Sequence, residues 1–438
     1  MYVTLMGPEL EQADLRSPTT PGGGARKARV GSTVLLLGTV SLLTDVSSEA
    51  VAAILPLYLT AVLGLGPLAY GIVDGLYQGV STIVRVAGGA VSDRTGRPKW
   101  VAFAGYALSA LSRVALLPMQ GLAVISAVVT VDRLGKGLRT APRDALICAS
   151  SPQPSWGRAF GVHRAMDTTG AMAGPLIAFA VLLAVPGGYR TVFVVSFAFA
   201  LAGLAVLGLL VPDVRPEGPA VPHAPRTAEP AAGTGRRRRP AWAALRDRRL
   251  RRLLLAAGLL GVLTIGDGFL YLALQRRDDF ASQYFPLLFV GTSLVYLALA
   301  VPLGRLADRV GRSRVFVLGH LALLGAYAAA SGPFSGPVPT LFCLALLGTF
   351  YAATDGVLAA LSGRLVPPSV RGTGIAAAQT VVAGARLLAS VLFGLAWTLT
   401  DRDTAVVLLI GGLVVALPVA MRLVRGLDVA SEPLPVPA

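Results

Sequence analysis

Gly89-Ala-Val-Ser-Asp93-Arg94-Thr-Gly96-Arg97-Pro-Lys99 is echoed in the second half of the chain by Gly304-Arg-Leu-Ala-Asp308-Arg309-Val-Gly311-Arg312-Ser-Arg314. Each copy follows one long apolar run and precedes another, so each reads as a short polar turn between neighbouring helices. Gly96 and Gly311 supply the backbone freedom of a tight turn. Asp93 falls at a helix end, placed to accept charge-assisted hydrogen bonds from the arginines around it. Asp308 stands in the same position. Such a cluster locks one arrangement of the surrounding helices and releases in another. A conformational latch is therefore expected at Gly89, Asp93, Arg94, Gly96 and Arg97, and again at Gly304, Asp308, Arg309, Gly311 and Arg312.

Outward from these turns the chain is a series of apolar runs. They fall at about 32–63, 68–92, 100–118, 122–147, 158–184 and 190–211, and resume at about 252–274, 284–304, 314–331, 337–361, 373–399 and 404–424. Of 438 residues, 54% are apolar and only 14% charged, well below the charged fraction of a soluble domain. Runs of this length suit membrane-crossing helices. Only helices and closed barrels satisfy the backbone in lipid, and the strand-length alternation of a barrel is absent. The expected fold is an all-α membrane protein with twelve transmembrane helices in two pseudo-symmetric six-helix bundles. The divisions are a tail 1–31, a bundle 32–211, a linker 212–251, a second bundle 252–424 and a tail 425–438.

The net charge of +16 follows topology rather than nucleic-acid binding. Loops 64–67, 119–121, 185–189 and 332–336 are nearly free of positive charge, and 275–283 and 400–403 carry acids beside their arginines. Loops 93–99, 305–314, 364–371 and the gap 212–251 are rich in arginine and lysine. The positive-inside rule then places both termini and the gap in the cytoplasm of an inner-membrane, multi-pass protein. The gap, with its prolines and the run Arg236–Arg239, is too polar to fold alone and reads as a linker. A polybasic stretch near the bilayer also suits anionic lipid headgroups. Residues 1–30 show no signal-peptide pattern. Cys148 and Cys343 lie in apolar runs and imply neither a disulfide framework nor a metal site.

On the doubled turn, the chain resembles the major facilitator superfamily, whose best-known signature is G-x-x-x-D-R-x-G-R in the loop after helix 2. A weaker echo, Gly157-Arg158-Ala-Phe-Gly161 against Val370-Arg371-Gly-Thr-Gly374, keeps the same register, and parallel six-helix repeats mark this architecture. Arg133-Leu-Gly-Lys136-Gly137 is similar to the family's helix-4 motif, with Lys136 in place of a glutamine. The resemblance associates Arg133 with proton coupling. Gly170-Ala-Met-Ala-Gly174-Pro175 is similar to the G-x-x-x-G-P motif of the family's antiporters, although Ile177 and Ala178 stand where further glycines should follow. Gly170, Gly174 and Pro175 equally suit close helix packing.

Charges at bilayer depth are costly and mark function by default. Asp45 and Glu49, four apart in span 1, share one helix face. Span 2 carries Asp74, Gln78 and Arg85; span 4 carries Asp132, Arg133, Lys136 and Arg139; span 5 carries His163, Arg164 and Asp167. At the helical rise, Asp45, Asp132, Arg133 and Asp167 lie about 14–18 Å from the cytoplasmic surface, near the midplane. Glu49 and Asp74 lie nearer the outside, with Glu49 expected away from the cations of span 4. Lys136 and Arg139 lie nearer the cytoplasm. The second half offers Asp267, Tyr271, Gln379 and Arg386. The expected proton-coupling residues are Glu49, Asp45, Arg133 and Asp74, with Arg133 beside Asp45. Gln78, Arg85, Asp132, Lys136, Arg139, Asp167, Asp267, Tyr271, Gln379 and Arg386 are expected to line a substrate cavity.

There is no placeable Ser/His/Asp grouping and no phosphate-cradling loop, so neither enzyme chemistry nor a cofactor is expected. The reading is secondary active transport of a small solute by a monomer, proton-coupled and in the efflux direction. The intramembrane cations leave open uptake of a small organic anion, and a non-transporting receptor of the same fold is the third alternative.

Overall fold

The computed structural model describes residues 31–118, 121–213, 246–367 and 370–428. Both distal tails and most of the linker, including Arg236–Arg239, lie outside the described residues. Among them the chain forms thirteen α-helices. The first half holds α1 Ser32–Leu57, α2 Pro67–Thr95, α3 Pro98–Ala115, α4 Leu122–Ala149, α5 Trp156–Ala184 and α6 Tyr189–Ala205. The second holds α7 Arg248–Gly261, α8 Asp267–Asp278, α9 Phe285–Val310, α10 Arg312–Ser331, α11 Pro337–Arg364, α12 Arg371–Leu399 and α13 Arg402–Val424.

Local chemistry sets the helix ends. Pro67, Pro98 and Pro337 open α2, α3 and α11, where the missing N–H has no partner to lose. The Asp247 side chain caps α7 by accepting from the backbone N–H of Arg249 and Leu250, and Asp401 caps α13 through Asp403 and Thr404. Gly96 ends α2 at φ +61°, and Gly311 precedes α10 at φ +113°, so the two expected turn glycines do hold left-handed backbone.

The seventh apolar run is not the single helix that its length suggests. It is two short helices, α7 of 14 residues and α8 of 12, separated by an unwound stretch at 262–266. Taken as one interrupted element, the pair completes two sets of six. Among the described residues, eight helices are long and apolar enough to cross a membrane by length and composition alone. The other four positions are α2, α3, α4 and the α7–α8 pair, where charge or brevity lowers the apolar signal.

The molecule is apolar outside and charged within. Leu209, Val338 and Val415 are exposed, while Arg113, Asp132, Arg133, Arg139 and Arg386 are buried. Lipid tails are as apolar as leucine, so close packing and polar contacts must hold the helices together. Gly170 and Gly174 do this for α5. Their α-carbons meet the α1 backbone at Leu42 and at Val46–Ala50, leaving no room for a side chain. Packing therefore accounts for Gly170 and Gly174, while Pro175 reaches the cavity described next.

Candidate functional site

A cavity of about 100 Å³ lies where the two halves meet. The first half contributes Glu49 from α1, Tyr70, Asp74, Tyr77 and Gln78 from α2, and Pro175 from α5. The second contributes Asp267 and Tyr271 from α8, Thr292 and Tyr296 from α9, and Tyr351 from α11. The break in span 7 explains how Asp267 gets there. It lies in the first turn of α8, where an acid is favoured by the helix dipole. The Tyr351 hydroxyl donates to Asp267 Oδ1 at 2.5 Å. Tyr271 donates to Thr292 Oγ1 at 2.7 Å.

One end of this cavity is closed by helix contact between the halves. On α2, Gly71, Gly75 and Gly79 face Ser390 and Leu387 of α12, and Gly394 of α12 faces the backbone of Pro67 and Leu68. The Leu68 N–H donates to Thr398 Oγ1 at 3.1 Å. Ser390 donates to Asp74 at 2.6 Å, and the Asp74 carboxylate lies against the α-carbon of Gly266, at the start of α8. Tyr70 meets Phe269 edge-on with centroids 4.6 Å apart, and Phe179 meets Tyr284 at 6.0 Å. All these contacts lie towards the loops poor in positive charge. Among the described residues, α4 and α11 show no comparable packing at the arginine-rich end.

Behind the cavity, ion pairs knit the first half together. Asp132 pairs with both Arg113 and Arg133, and Arg113 also donates to Ser48 at 2.9 Å. Arg139 pairs with Asp45 at 3.6 Å and lies over the Tyr106 ring. Arg143 pairs with Asp167 at 3.6 Å and donates to Ser41, whose hydroxyl also meets His163 at 3.0 Å. Lys136 pairs with Glu49 at 3.7 Å.

These contacts correct two expectations. Glu49 is not remote from the cations of α4, because the long Lys136 side chain reaches it across the gap. Arg133 is not paired with Asp45; its guanidinium turns to Asp132 and stacks on the Tyr77 ring at 3.8 Å. Depth along a helix does not decide pairing, because rotation about the axis sends the two side chains to different neighbours. Of the residues expected in the cavity, Gln78, Asp267 and Tyr271 line it, as do Glu49 and Asp74. Asp132, Lys136, Arg139 and Asp167 are absent from its lining and hold ion pairs in the first half. Arg85, on α2, also lies outside the lining. Gln379 and Arg386 line a separate cavity within the second half, beside His320 and Asp355, where Arg386 pairs with Asp355 at 3.9 Å.

The two signature turns differ. Asp308 pairs with Arg312 at 2.9 Å inside its own turn. No such pair to Asp93 is seen among the described residues, and Asp93, Arg94 and Arg97 are exposed. The segment after α13 folds back onto the second turn, where Asp428 accepts from the Ser313 backbone N–H at 3.0 Å.

The sequence reading passed over Tyr70, Tyr77, Tyr296 and Tyr351, Asp355, and the pairing of Arg113. It also passed over the stripe Gly71, Gly75, Gly79, although glycines at every fourth position of a membrane helix signal a close-packed face. The break in span 7 had a signal too: Thr264-Ile265-Gly266 joins two β-branched residues to a glycine, all poor helix formers.

With fold and cavity in place, the class is clear: a polytopic helical membrane protein whose two halves surround a central cavity, the build of a membrane transporter. The Major Facilitator Superfamily model matches residues 37–281 and 277–437, and the chain belongs to that family. It is 28% identical over 380 residues to an uncharacterized MFS-type transporter of Methanocaldococcus jannaschii, covering 85% of this chain and 90% of that one. Among solved structures it is similar to the nucleoside transporter NupG, with a TM-score of 0.71 at 16% identity, covering 90% of this chain and 100% of that one. A POT family transporter in complex with a thioalcohol-conjugated peptide gives 0.72 at 13% identity, covering 90% and 96%. Likeness at this identity speaks for the fold alone.

Proposed function

We propose that this membrane transporter moves a small solute by alternating access, coupled to protons and in the efflux direction. The observation that carries this reading is the central cavity, walled by both halves and sealed at one end by the glycine-lined contact of α2 with α12. Separation of α2 from α12 would open that end while the arginine-rich end closes, with Asp93 and its arginines latching the turn. Both termini then face the cytoplasm of an inner membrane. A cytoplasm-only reporter should give signal when fused after residue 230 and lose it after residue 280; the reverse pattern contradicts the topology.

Glu49 is the proposed proton carrier. It lines the cavity and meets Lys136, so the same carboxyl faces both solute and a cation. Alternating access that moves Glu49 between a desolvated setting and a cation-rich one binds a proton on one side and releases it on the other. Antiport follows if proton and solute compete there. In proteoliposomes, Glu49→Gln is expected to abolish flux driven by a pH gradient while exchange at equal pH survives. Undiminished pH dependence in that variant transfers the role to Asp45 or Asp74. Against the anion-uptake alternative, Arg133, Lys136 and Arg139 are each paired with a carboxylate, and Arg85 lies outside the cavity lining.

A further inference from the structure

The lining of the central cavity is chemically one-sided. Its ionisable side chains other than tyrosine are three carboxyls, Glu49, Asp74 and Asp267, and no arginine or lysine is among the lining residues. Its aromatic wall is Tyr70, Tyr271, Tyr296, Tyr351 and Phe289, contributed mostly by the second half. Tyr271 and Phe289 meet edge-to-face with centroids 4.6 Å apart, and both line the cavity. Tyr77 is different: its ring is already covered by Arg133 at 3.8 Å. That contact shows, within this protein, a cation seated on a tyrosine face beside the cavity.

Two basic groups temper the acids from behind. Lys136 reaches Glu49, and Arg386 lies 5.5 Å from the Tyr351 ring, on the side of the neighbouring cavity. Asp74 is held by Ser390, and Asp267 by the Tyr351 hydroxyl. These last two partners are neutral, so they satisfy the carboxylates without cancelling their charge. An anion entering here would meet three carboxyls and the negative faces of several rings. A cation with an apolar body would be favoured by both.

We propose that the transported solute is an organic cation, an aromatic or alkyl ammonium, seated among Tyr271, Tyr296 and Tyr351 with its charge towards Asp267. The proposal rests on the transport reading above and narrows it to a substrate class. It also supplies a reason for antiport, since cation and proton would compete for the same carboxylates.

The test uses the purified full-length chain and three probes of similar shape: trimethylphenylammonium, neutral tert-butylbenzene and anionic benzenesulfonate. Thermal stability titrations in detergent should show stabilisation by the ammonium alone. Asp267→Asn and Tyr296→Leu should each weaken that binding by about tenfold, while Tyr296→Phe, which keeps the ring, should preserve it. Asp267→Glu keeps the charge and retains binding if Asn acts through charge rather than folding. Equal or stronger stabilisation by benzenesulfonate, or unchanged ammonium binding in Asp267→Asn, overturns the proposal. A pH-sensitive dye inside proteoliposomes separates the two claims. Ammonium binding with no proton movement keeps the substrate class and removes the coupling. Proton movement driven by the sulfonate and not by the ammonium does the opposite.

Discussion

The two halves share a fold and differ in what fills them. In the first half, carboxylates and guanidinium or ammonium groups from α1, α3, α4 and α5 join four helices: Asp45 with Arg139, Asp132 with Arg113 and Arg133, Asp167 with Arg143. In the second half the interior is aromatic, with Phe269, Tyr271, Phe285, Tyr327 and Phe350 fully buried. Among the described residues its buried ion pairs are Arg386 with Asp355, between α12 and α11, and the sequence neighbours Arg277 and Asp278 at the end of α8. Charge pairs with fixed partners cross-link a bundle and let it move as one body. Aromatic walls and an interrupted helix give a guest its shape. The repeat thus carries one backbone plan and two chemistries, and the cavity takes acids from both sides and rings mainly from the second.

Removing the central acid of the first half should have the largest effect. Asp132→Asn leaves Arg113 and Arg133 buried without their carboxylate, and breaking a buried pair in this way costs about 3–5 kcal/mol. Loss of folded protein in detergent is expected. Asp355→Asn in the second half removes one carboxylate from a longer contact and should lower the melting temperature less. Equal losses would break the contrast between the halves.

The next effect concerns the junction. Gly71→Leu puts a side chain where the Ser390 carbonyl and the Gly394 α-carbon already sit. The closed end should then fail to close, and transport should fall by about tenfold or more if that state loses ~1.4 kcal/mol. Gly384→Ala, on the same helix α12 and with open space around it, should leave transport near wild type. Transport that survives Gly71→Leu would show that this contact is not the gate.

The signature turns give the smallest and most discriminating comparison. Asp93→Asn and Arg97→Ala should insert normally and slow transport by shifting the balance of conformers, visible in spin-label distances between the halves. Asp308→Asn removes an exposed i,i+4 pair worth only about 0.3–0.5 kcal/mol, so its effect on stability should be slight. A larger defect from Asp308 than from Asp93 would reverse the ranking of the two turns.

What was legible in the sequence was whatever depends on spacing along the chain. The apolar runs that become helices and the doubled turn around Gly96 and Gly311 both read correctly. What was not legible depends on rotation and on long side chains. Asp132 and Arg133 are neighbours in sequence, but only the structure puts Arg113 of α3 on the other side of that carboxylate. Lys136 sits well to the cytoplasmic side of the expected level of Glu49, and its flexible stem closes the distance. The interruption at 262–266 does not break the apolar run, so its length points to one helix; only the weak helix formers Thr264-Ile265-Gly266 signal the break. The tyrosines were overlooked because a ring in an apolar run reads as core; only convergence of α2, α8, α9 and α11 makes them a wall.

The central claim is that one cavity opens alternately to two sides, with the α2–α12 contact as one gate. In a background with Cys148 and Cys343 replaced, Ala171→Cys places a thiol in the cavity wall, and a membrane-impermeant maleimide can be applied to vesicles of known orientation. A second variant adds Leu68→Cys and Thr398→Cys, whose backbone N–H and side chain already meet at 3.1 Å, to lock the gate by a disulfide. The expected result is labelling from both sides without the lock. With the lock, labelling persists only from the arginine-rich side and returns on the other side upon reduction. Labelling from the charge-poor side that persists in the locked protein, or is never seen in the unlocked one, would contradict alternating access through this gate.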